Sequence, residues 1–306
     1  MAAEAQNSPR MQTCVIFNPA ARGNQARRFR RHLDEIAANC ALKATSAPGD
    51  ARRLAAQAVA DGFDLIVAAG GDGTVNETLN GLGDVPGGFA RARLGVLPLG
   101  TINVFARELK IPLRIPQAWQ VLQGGREMRV DLPWAEFTVA GLRKRVYFAQ
   151  LAGAGLDARA IELVSWPLKK RLGPFAYVLA GLQALGETKP RVTAQAGERT
   201  IGGELVLVGN GRLYGGTFQV FPAARLNSGT FELCGLPRMD WWTLCRCAPG
   251  LLLQGRLPES AVQRLSATRF TLSSASPAAF ELDGEWIGHL PVEFGLEPQA
   301  LGVAVP

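Results

Sequence analysis

In the stretch LIVAAGGDGTVNE, Leu65–Glu77, five apolar residues run without alternation into Gly70-Gly71, then Asp72, Gly73 and Thr74. Such a run is a strand buried on both faces. TVNETLNGL follows it with helical spacing. Glycines between strand and helix let backbone come close to a ligand. The helix N-terminus adds unpaired N–H groups and a partial positive charge, and together these make a phosphate site. Asp72 can orient a phosphate-bound magnesium or hydrogen-bond the loop backbone, and Thr74 can cap the helix or touch phosphate. A plain Asp-Gly reverse turn accounts for the same residues. No Gly-Lys occurs in the chain, which excludes a Walker loop, and GGDGTVN does not satisfy GxGxxG.

Strand and helix signals alternate through the first third. TCVIFNP (Thr13–Pro19) is a short apolar run stopped by Asn-Pro. NQARRFRRHLDEIAANC carries Phe29, Leu33, Ile36 and Ala37 at helical spacing. ALKATSAP reads as a second strand, Asp50 as the N-cap of ARRLAAQAVADG, and RLGVLPLG as a fourth strand. This alternation predicts a parallel sheet with helices on both faces. Beyond about residue 128 the signals change to strands at hairpin spacing: RVYFAQLAG, RVTAQAG, IGGELVLVGNG, TFQVFPA, GTFELCGL, RFTLSS and AFELDGEWIG. Two helices, SWPLKKRLGPFAYVLAGLQALG and MDWWTLCRCAPGLLLQG, interrupt them. The expected fold is α/β plus β: a parallel-sheet domain, then a mostly antiparallel one. At 306 residues the chain is long enough for both.

Two further turns share the address of the first. FNPAARGN ends the first strand, where Asn18 can bond an adenine or backbone edge and Arg22 with Gly23 can meet phosphate. LPLGTINVFARELKIP ends the fourth, with Gly100-Thr101 at its turn and Asn103 on the first helical turn. In open parallel sheets ligands bind beyond the C-terminal ends of the strands. The balance of 33 basic to 26 acidic residues, +7, suits an anionic partner without choosing one. Scattered charge and the lack of a recognition motif speak against nucleic acid. Five cysteines with no CxxC pair exclude a disulfide framework and a zinc site. The polar N-terminus and the absence of an 18-residue apolar window predict a soluble, cytoplasmic protein.

GGDGTVNE, NPAARGN, LPLGTINVFAREL, AGAGLDA, KKRLGPFAYVLAGL, YGGTFQVFPAARLNSG and ELDGEWIG occur in that combination over nearly the whole chain, from about Gln12 to Pro306. The chain thereby resembles the lipid kinases that share the diacylglycerol kinase catalytic domain, especially the small soluble bacterial ones. GGDGTVNE coupled to PLGTxN is specific, whereas NPxxxG alone is weak. The resemblance implies transfer of the γ-phosphate of ATP to a lipid hydroxyl, as in phospholipid biosynthesis. It implies a nucleotide domain like that of phosphofructokinase and NAD kinase over residues 12–128 plus 292–306. A β-sandwich lipid-substrate domain takes 129–291. Carried over residue by residue, Asn18, Thr45, Gly70, Gly71, Asp72, Gly73, Thr74, Val75, Asn76 and Thr101 would contact ATP. Local pattern puts Thr45 inside the second strand. Glu285 would accept the proton, with Asp283 beside it and Asp72 on the phosphate side. Asp283-Gly284 is also a good hairpin turn. In an extended chain Asp283 and Glu285 point the same way, so one could hold magnesium while the other acts as base.

The chain departs from the family in two places. Val104 stands where GTxN is often followed by Asp, and Ser228 where the structural Mg2+ loop of bacterial relatives often has Asp. Arg225 and Thr230 can still offer carbonyls, but a lost carboxylate weakens a hard-cation site. The partners implied are ATP, a membrane lipid acceptor and, transiently, an anionic membrane surface, with homo-oligomerisation open. Lys169–Arg171 and Arg143–Arg145 are candidate membrane contacts, peripheral at the inner surface, although each cluster taken alone reads first as a solvated charged edge. Trp241 and Trp242 fit either an interface or the core, with the core expected for one of them. Two other readings stand beside a lipid kinase: a kinase of a soluble acceptor such as NAD, for which no TPTGSTAY-like segment is found, and a catalytically silent nucleotide-binding module.

Overall fold

The computed structural model describes residues 12–19, 24–38, 40–124, 126–163 and 175–306. Arg22, Gly23 and the cluster Lys169–Arg171 lie outside them. The chain forms two compact units. One contains the described residues up to Gly100 with Ile111–Met128 and Leu301–Pro306. The other contains Thr101–Lys110 and Arg129–Ala300.

The first unit opens with β1 (Thr13–Phe17), α1 (Asn24–Arg31), α2 (Leu33–Ala37), β2 (Ala41–Ala44) and α3 (Asp50–Ala60). It continues through β3 (Leu65–Gly70), α4 (Asp72–Gly83), α5 (Gly88–Arg91) and β4 (Arg93–Pro98). The strands lie parallel in the order β2-β1-β3-β4, as the alternation predicts. All six residues of β3 are buried, which is why its sequence does not alternate. The single helix expected over residues 24–40 is instead two, divided at His32, whose φ −103° and ψ 4° leave the helical region. α4 packs closely on α3: a Cβ on Gly81 would stand 2.3 Å from the Arg52 carbonyl oxygen. Burial pushes the Cys14 thiol up to about 11, keeping it protonated and inert at neutral pH.

The second unit begins with the short helix α6 (Val104–Glu108); α7 (Ile115–Gln123) returns to the first. Then come β5 (Glu127–Val139), β6 (Leu142–Tyr147), β7 (Leu151–Gly155), α8 (Leu156–Leu163), α9 (Phe175–Gly186) and β8 (Val192–Ala196). They are followed by β9 (Arg199–Gly203), β10 (Leu205–Gly209), β11 (Phe231–Leu236), α10 (Trp241–Pro249) and β12 (Gln263–Ala267). β13 (Arg269–Ser274), β14 (Ala279–Leu282), β15 (Glu285–His289) and β16 (Val292–Ala304) complete the chain. Two antiparallel sheets face each other in this unit. β16, β13, β8 and β9 with β5 and β6 form one, and β12-β11-β10-β7-β14-β15 the other. Phe137, Phe148, Phe231, Phe270, Phe280 and Phe294 fill the space between. Phe137 meets Phe280 across it at 5.1 Å, edge to face. β10 alternates between two cores: Val206 and Val208 enter the sandwich, while Leu205 and Leu207 lie under α8, α9 and α10. That double burial is the reason for its unbroken apolar run.

Two expectations are corrected here. TFQVFPA is no strand and contributes only the isolated bridge Tyr214–Phe218. Its chain is held by the buried Glu232 carboxylate, which accepts from the Ala223 and Ala224 N–H groups (2.7 and 2.9 Å) and from Arg264 (2.7 Å). Trp241 and Trp242 are 63% and 76% exposed, so neither is core. In the Arg143–Arg145 cluster, Arg143 pairs with Glu136 and Glu293 and Arg145 with Glu136 and Glu297, as in a solvated charged edge.

Candidate active site

The C-terminal ends of the parallel strands collect the nucleotide candidates of the first unit. Asn18 follows β1 and is exposed, and Thr45 follows β2 directly, so it is not mid-strand. The Thr45 N–H donates to the Phe17 carbonyl (2.9 Å), which ties the two strand ends together. At β3, the Leu99 N–H donates to the Gly70 carbonyl (2.9 Å), joining the GGDG turn to LPLG. A Cβ on Gly71 would stand 3.3 Å from Gly100 Cα, and one on Gly70 2.2 Å from Thr74 Oγ1. Gly70 is therefore needed for close packing of turn on helix, and Gly71 lets the two turns lie in tight contact.

α4 starts at Asp72, with Gly71 in extended backbone as its N-cap and no side chain capping it; Thr74 lies inside the first turn. The first N–H groups of α4 thus have no cap side chain over them, which suits an anion. Val75 is different. Its side chain is buried and its N–H bonds the Gly71 carbonyl (3.1 Å). The Asn76 side chain and carbonyl accept from Asn80 (3.1 and 2.9 Å). Glu77, the last residue of the motif, grips α3 instead: its carboxylate accepts from the Gly49 and Ala51 N–H groups (2.9 and 3.0 Å).

The carboxylates at ELDGE belong to the second unit. Asp283 and Gly284, with φ 50° and 84°, form the two-residue turn between β14 and β15. Positive φ at both central residues gives a type I′ hairpin, the form whose twist matches its strands. The extended-chain argument fails here, because Asp283 is in the turn. Its carboxylate reaches back to the β7 approach and accepts from three backbone N–H groups: Ala149 (2.7 Å), Gln150 (2.9 Å) and Leu151 (3.1 Å). Glu285 opens β15 and is exposed.

Residues that local reading did not single out support this turn. Glu108, from the FAREL segment, accepts from the Leu213 N–H (2.8 Å) and the Gln150 side chain (3.2 Å) and pairs with Arg212 (3.3 Å). Glu281 accepts from the Gly284 N–H (2.6 Å), and Tyr214 donates to Asp157 (2.6 Å). One oxygen of Asp157 and one of Glu281 are buried with no hydrogen-bond partner among the described residues. Both lie within 3 Å of where a Cβ on Gly153 would sit (2.8 and 2.9 Å). Burial pushes both carboxyls up, and for Glu281 the facing Asp157 adds to that.

Thr101, directly after Gly100, is exposed, while Asn103 is buried at φ 53° as the N-cap of α6. In the loop around Ser228, the Ser228 hydroxyl lies 2.9 Å from the Arg225 carbonyl and 3.0 Å from that of Thr230. Its single proton can serve one of the two carbonyls at a time, and the neutral hydroxyl supplies no charge to a cation. The buried Asp131 carboxylate supports the loop by accepting from the Gly229 N–H (2.6 Å). Among the described residues no group of three His, Cys, Asp or Glu side chains could hold a metal ion. Arg225 and Thr230 still carry the carbonyls that a cation could meet, and Ser228 brings a neutral hydroxyl where a carboxylate would strengthen a hard-cation site.

Residues 12–134 match the diacylglycerol kinase catalytic domain, and residues 150–305 the YegS C-terminal NAD kinase beta sandwich-like domain. A diacylglycerol kinase of Bacillus subtilis (strain 168) is 32% identical over 291 residues, covering 92% of this chain and 91% of that one. One of Staphylococcus carnosus (strain TM300) is 29% identical over 302 residues, 95% and 94% of the two chains. A crystal structure of a diacylglycerol kinase from Bacillus anthracis str. Sterne superposes with a TM-score of 0.72 over 98% of both chains; at 20% identity it bears on the fold alone. The match of the second domain model to half the chain and the whole-length relative agree with the paired turns and the sandwich: the chain belongs to the diacylglycerol kinase catalytic-domain family of phosphotransferases.

Proposed function

We propose that the chain is an ATP-dependent lipid kinase that moves the γ-phosphate of ATP to the hydroxyl of a membrane lipid such as diacylglycerol. The observation that carries this reading is the ELDGE turn. Asp283 is engaged by three backbone N–H groups, which leaves Glu285 as the exposed carboxylate of the pair.

In this reading the phosphates of ATP lie against the Gly70–Asn76 turn and the N–H groups at the start of α4, with Asn18, Thr45 and Thr101 beside the nucleotide. Asp72 would hold a magnesium ion carried by ATP, which would neutralise charge on the phosphates. Glu285 accepts the proton of the lipid hydroxyl. The hydroxyl oxygen bonds the γ-phosphorus as the bond to the β–γ bridging oxygen breaks, and ADP leaves with that electron pair. A positioned base is worth about 10²–10⁴ in rate. Asp283 acts through the turn, as a positioning residue. No step uses the Ser228 loop. No described helix is long and apolar enough to cross a membrane. In this reading the lipid is met from the bilayer surface.

The test is transfer of labelled γ-phosphate from ATP to a panel of diacylglycerol, phosphatidylglycerol, sphingoid bases, ceramide, NAD and nucleosides. A labelled lipid is expected. The NAD-kinase-like match of the second domain makes NAD the chief competitor. Labelling of NAD alone overturns the proposal, and ATP binding without turnover on any acceptor favours a silent module.

A further inference from the structure

α10 and the turn after it are apolar on two faces. Leu244, Cys247 and Leu251 pack inward beside Met239 and Leu257. Outward stand Trp241, Trp242, Leu252 and Leu253, up to 84% exposed, with the exposed Cys245 between them. Asp240 anchors the helix start by accepting from the Thr243 N–H (2.8 Å). Beyond Pro249 the chain makes one π-helical turn, Gly250–Gln254, which carries the outward face on to Leu252 and Leu253. A surface helix normally turns polar residues to water. Four large exposed apolar side chains on one short segment mark a surface that something covers.

The surrounding charge identifies what covers it. Arg238, Arg246 and Arg256 flank the segment and are exposed. Arg246 donates to the Ser260 carbonyl (3.0 Å) and Arg256 to the Gln219 side chain (3.1 Å), both neutral acceptors. Arg238 meets Asp240 at 3.6 Å. Glu259 is paired with Arg264 (2.9 Å). Positive charge around tryptophan and leucine is the pattern of an interfacial anchor on anionic lipid.

We propose that α10 and the turn Gly250–Gln254 dock the chain on an anionic bilayer surface. Trp241, Trp242, Leu252 and Leu253 enter the boundary between headgroups and acyl chains, and Arg238, Arg246 and Arg256 reach lipid phosphates. The inference takes its purpose from the lipid-kinase reading, but docking is measured without turnover.

The experiment is co-flotation of the full chain with vesicles of phosphatidylglycerol and phosphatidylcholine, or of phosphatidylcholine alone. Trp241→Ser/Trp242→Ser and Leu252→Ser/Leu253→Ser should each lower binding to the mixed vesicles about tenfold or more. Their melting temperatures should stay unchanged, because the side chains are exposed. Arg238→Gln/Arg246→Gln/Arg256→Gln should abolish the preference for phosphatidylglycerol and its salt sensitivity. Brominated lipid should quench the fluorescence of the wild type and not of the tryptophan variant. Wild-type binding by both serine variants overturns the proposal, and so does a wild type that binds no vesicles. Sedimentation showing a dimer that these variants dissociate, with vesicle binding intact, also overturns it and makes the face a contact between copies. A wild type that docks yet labels no lipid supports docking while removing the kinase reading. Serine variants that label dissolved short-chain diacylglycerol but not vesicles support docking.

Discussion

Asp283 and Glu285 are two residues apart, and the fold gives them different work. Asp283→Ala leaves the N–H groups of the buried Ala149, Gln150 and Leu151 without their acceptor. It should cost about 3 kcal/mol in urea denaturation and lower kcat while the affinity for ATP holds. Asp283→Asn should recover part of both, because an amide oxygen still accepts. Glu285→Gln is the contrasting case. The residue is exposed, so stability and ATP binding should be unchanged by calorimetry while turnover falls about 10²–10⁴-fold. Unchanged turnover would remove Glu285 from the mechanism. The resemblance in sequence implied Glu285 as the proton acceptor, but the local pattern gave no physical ground for separating the two carboxylates. The separation comes from a positive φ at Asp283 and from acceptor contacts 132 to 134 positions away.

Among the elements, the joint between β3 and α4 carries the nucleotide reading. Its tolerance is set by the contact between Gly70 and Thr74: an added Cβ would approach Thr74 Oγ1 to 2.2 Å and Cβ to 2.5 Å. Gly70→Ala must therefore push the first turn of α4 away from the strand. A loss of about 1–3 kcal/mol is expected from thermal melting, as for other overpacked sites, with weaker ATP binding by calorimetry. Full affinity in a folded variant would show that the turn does not hold the phosphates. The strand, turn and helix here were legible because each has a local signature: an unbroken apolar run, a glycine pair, helical spacing. β5 was not legible. Its sequence EMRVDLPWAEFTV mixes polarity and contains Pro133, and its pairing with β6 and β16 depends on residues far away in the chain. The role of Glu77 was not legible either, since it belongs to the motif yet serves α3.

For the molecule as a whole, the Asp157–Glu281 pair makes stability depend on pH. Both carboxyls are raised above their ordinary values of 3.8 and 4.5, so the folded state holds protons that the unfolded chain releases. Stability from that difference is complete below the ordinary values and is lost as pH rises toward the raised ones. Melting temperature should fall from pH 5 upward, and Glu281→Gln should flatten the fall (an equal slope in the variant would assign the trend to other groups).

By itself the sequence determined the order and type of most elements, the parallel α/β start, the antiparallel second half and the strand-end address of the GGDG and LPLG turns. Those features rest on periodicity and on glycine, proline and capping residues, which act over a few positions. Tertiary structure alone decided which carboxylate is buried, braced or exposed. It tied Glu108 to Gln150, Asp131 to Gly229 and Asp157 to Tyr214. It also turned Trp241 and Trp242 outward and closed the Ser228 loop on its own carbonyls. The physical reason is that desolvation and hydrogen bonding depend on the groups brought around a residue, and nearly all of these groups lie dozens of positions away along the chain.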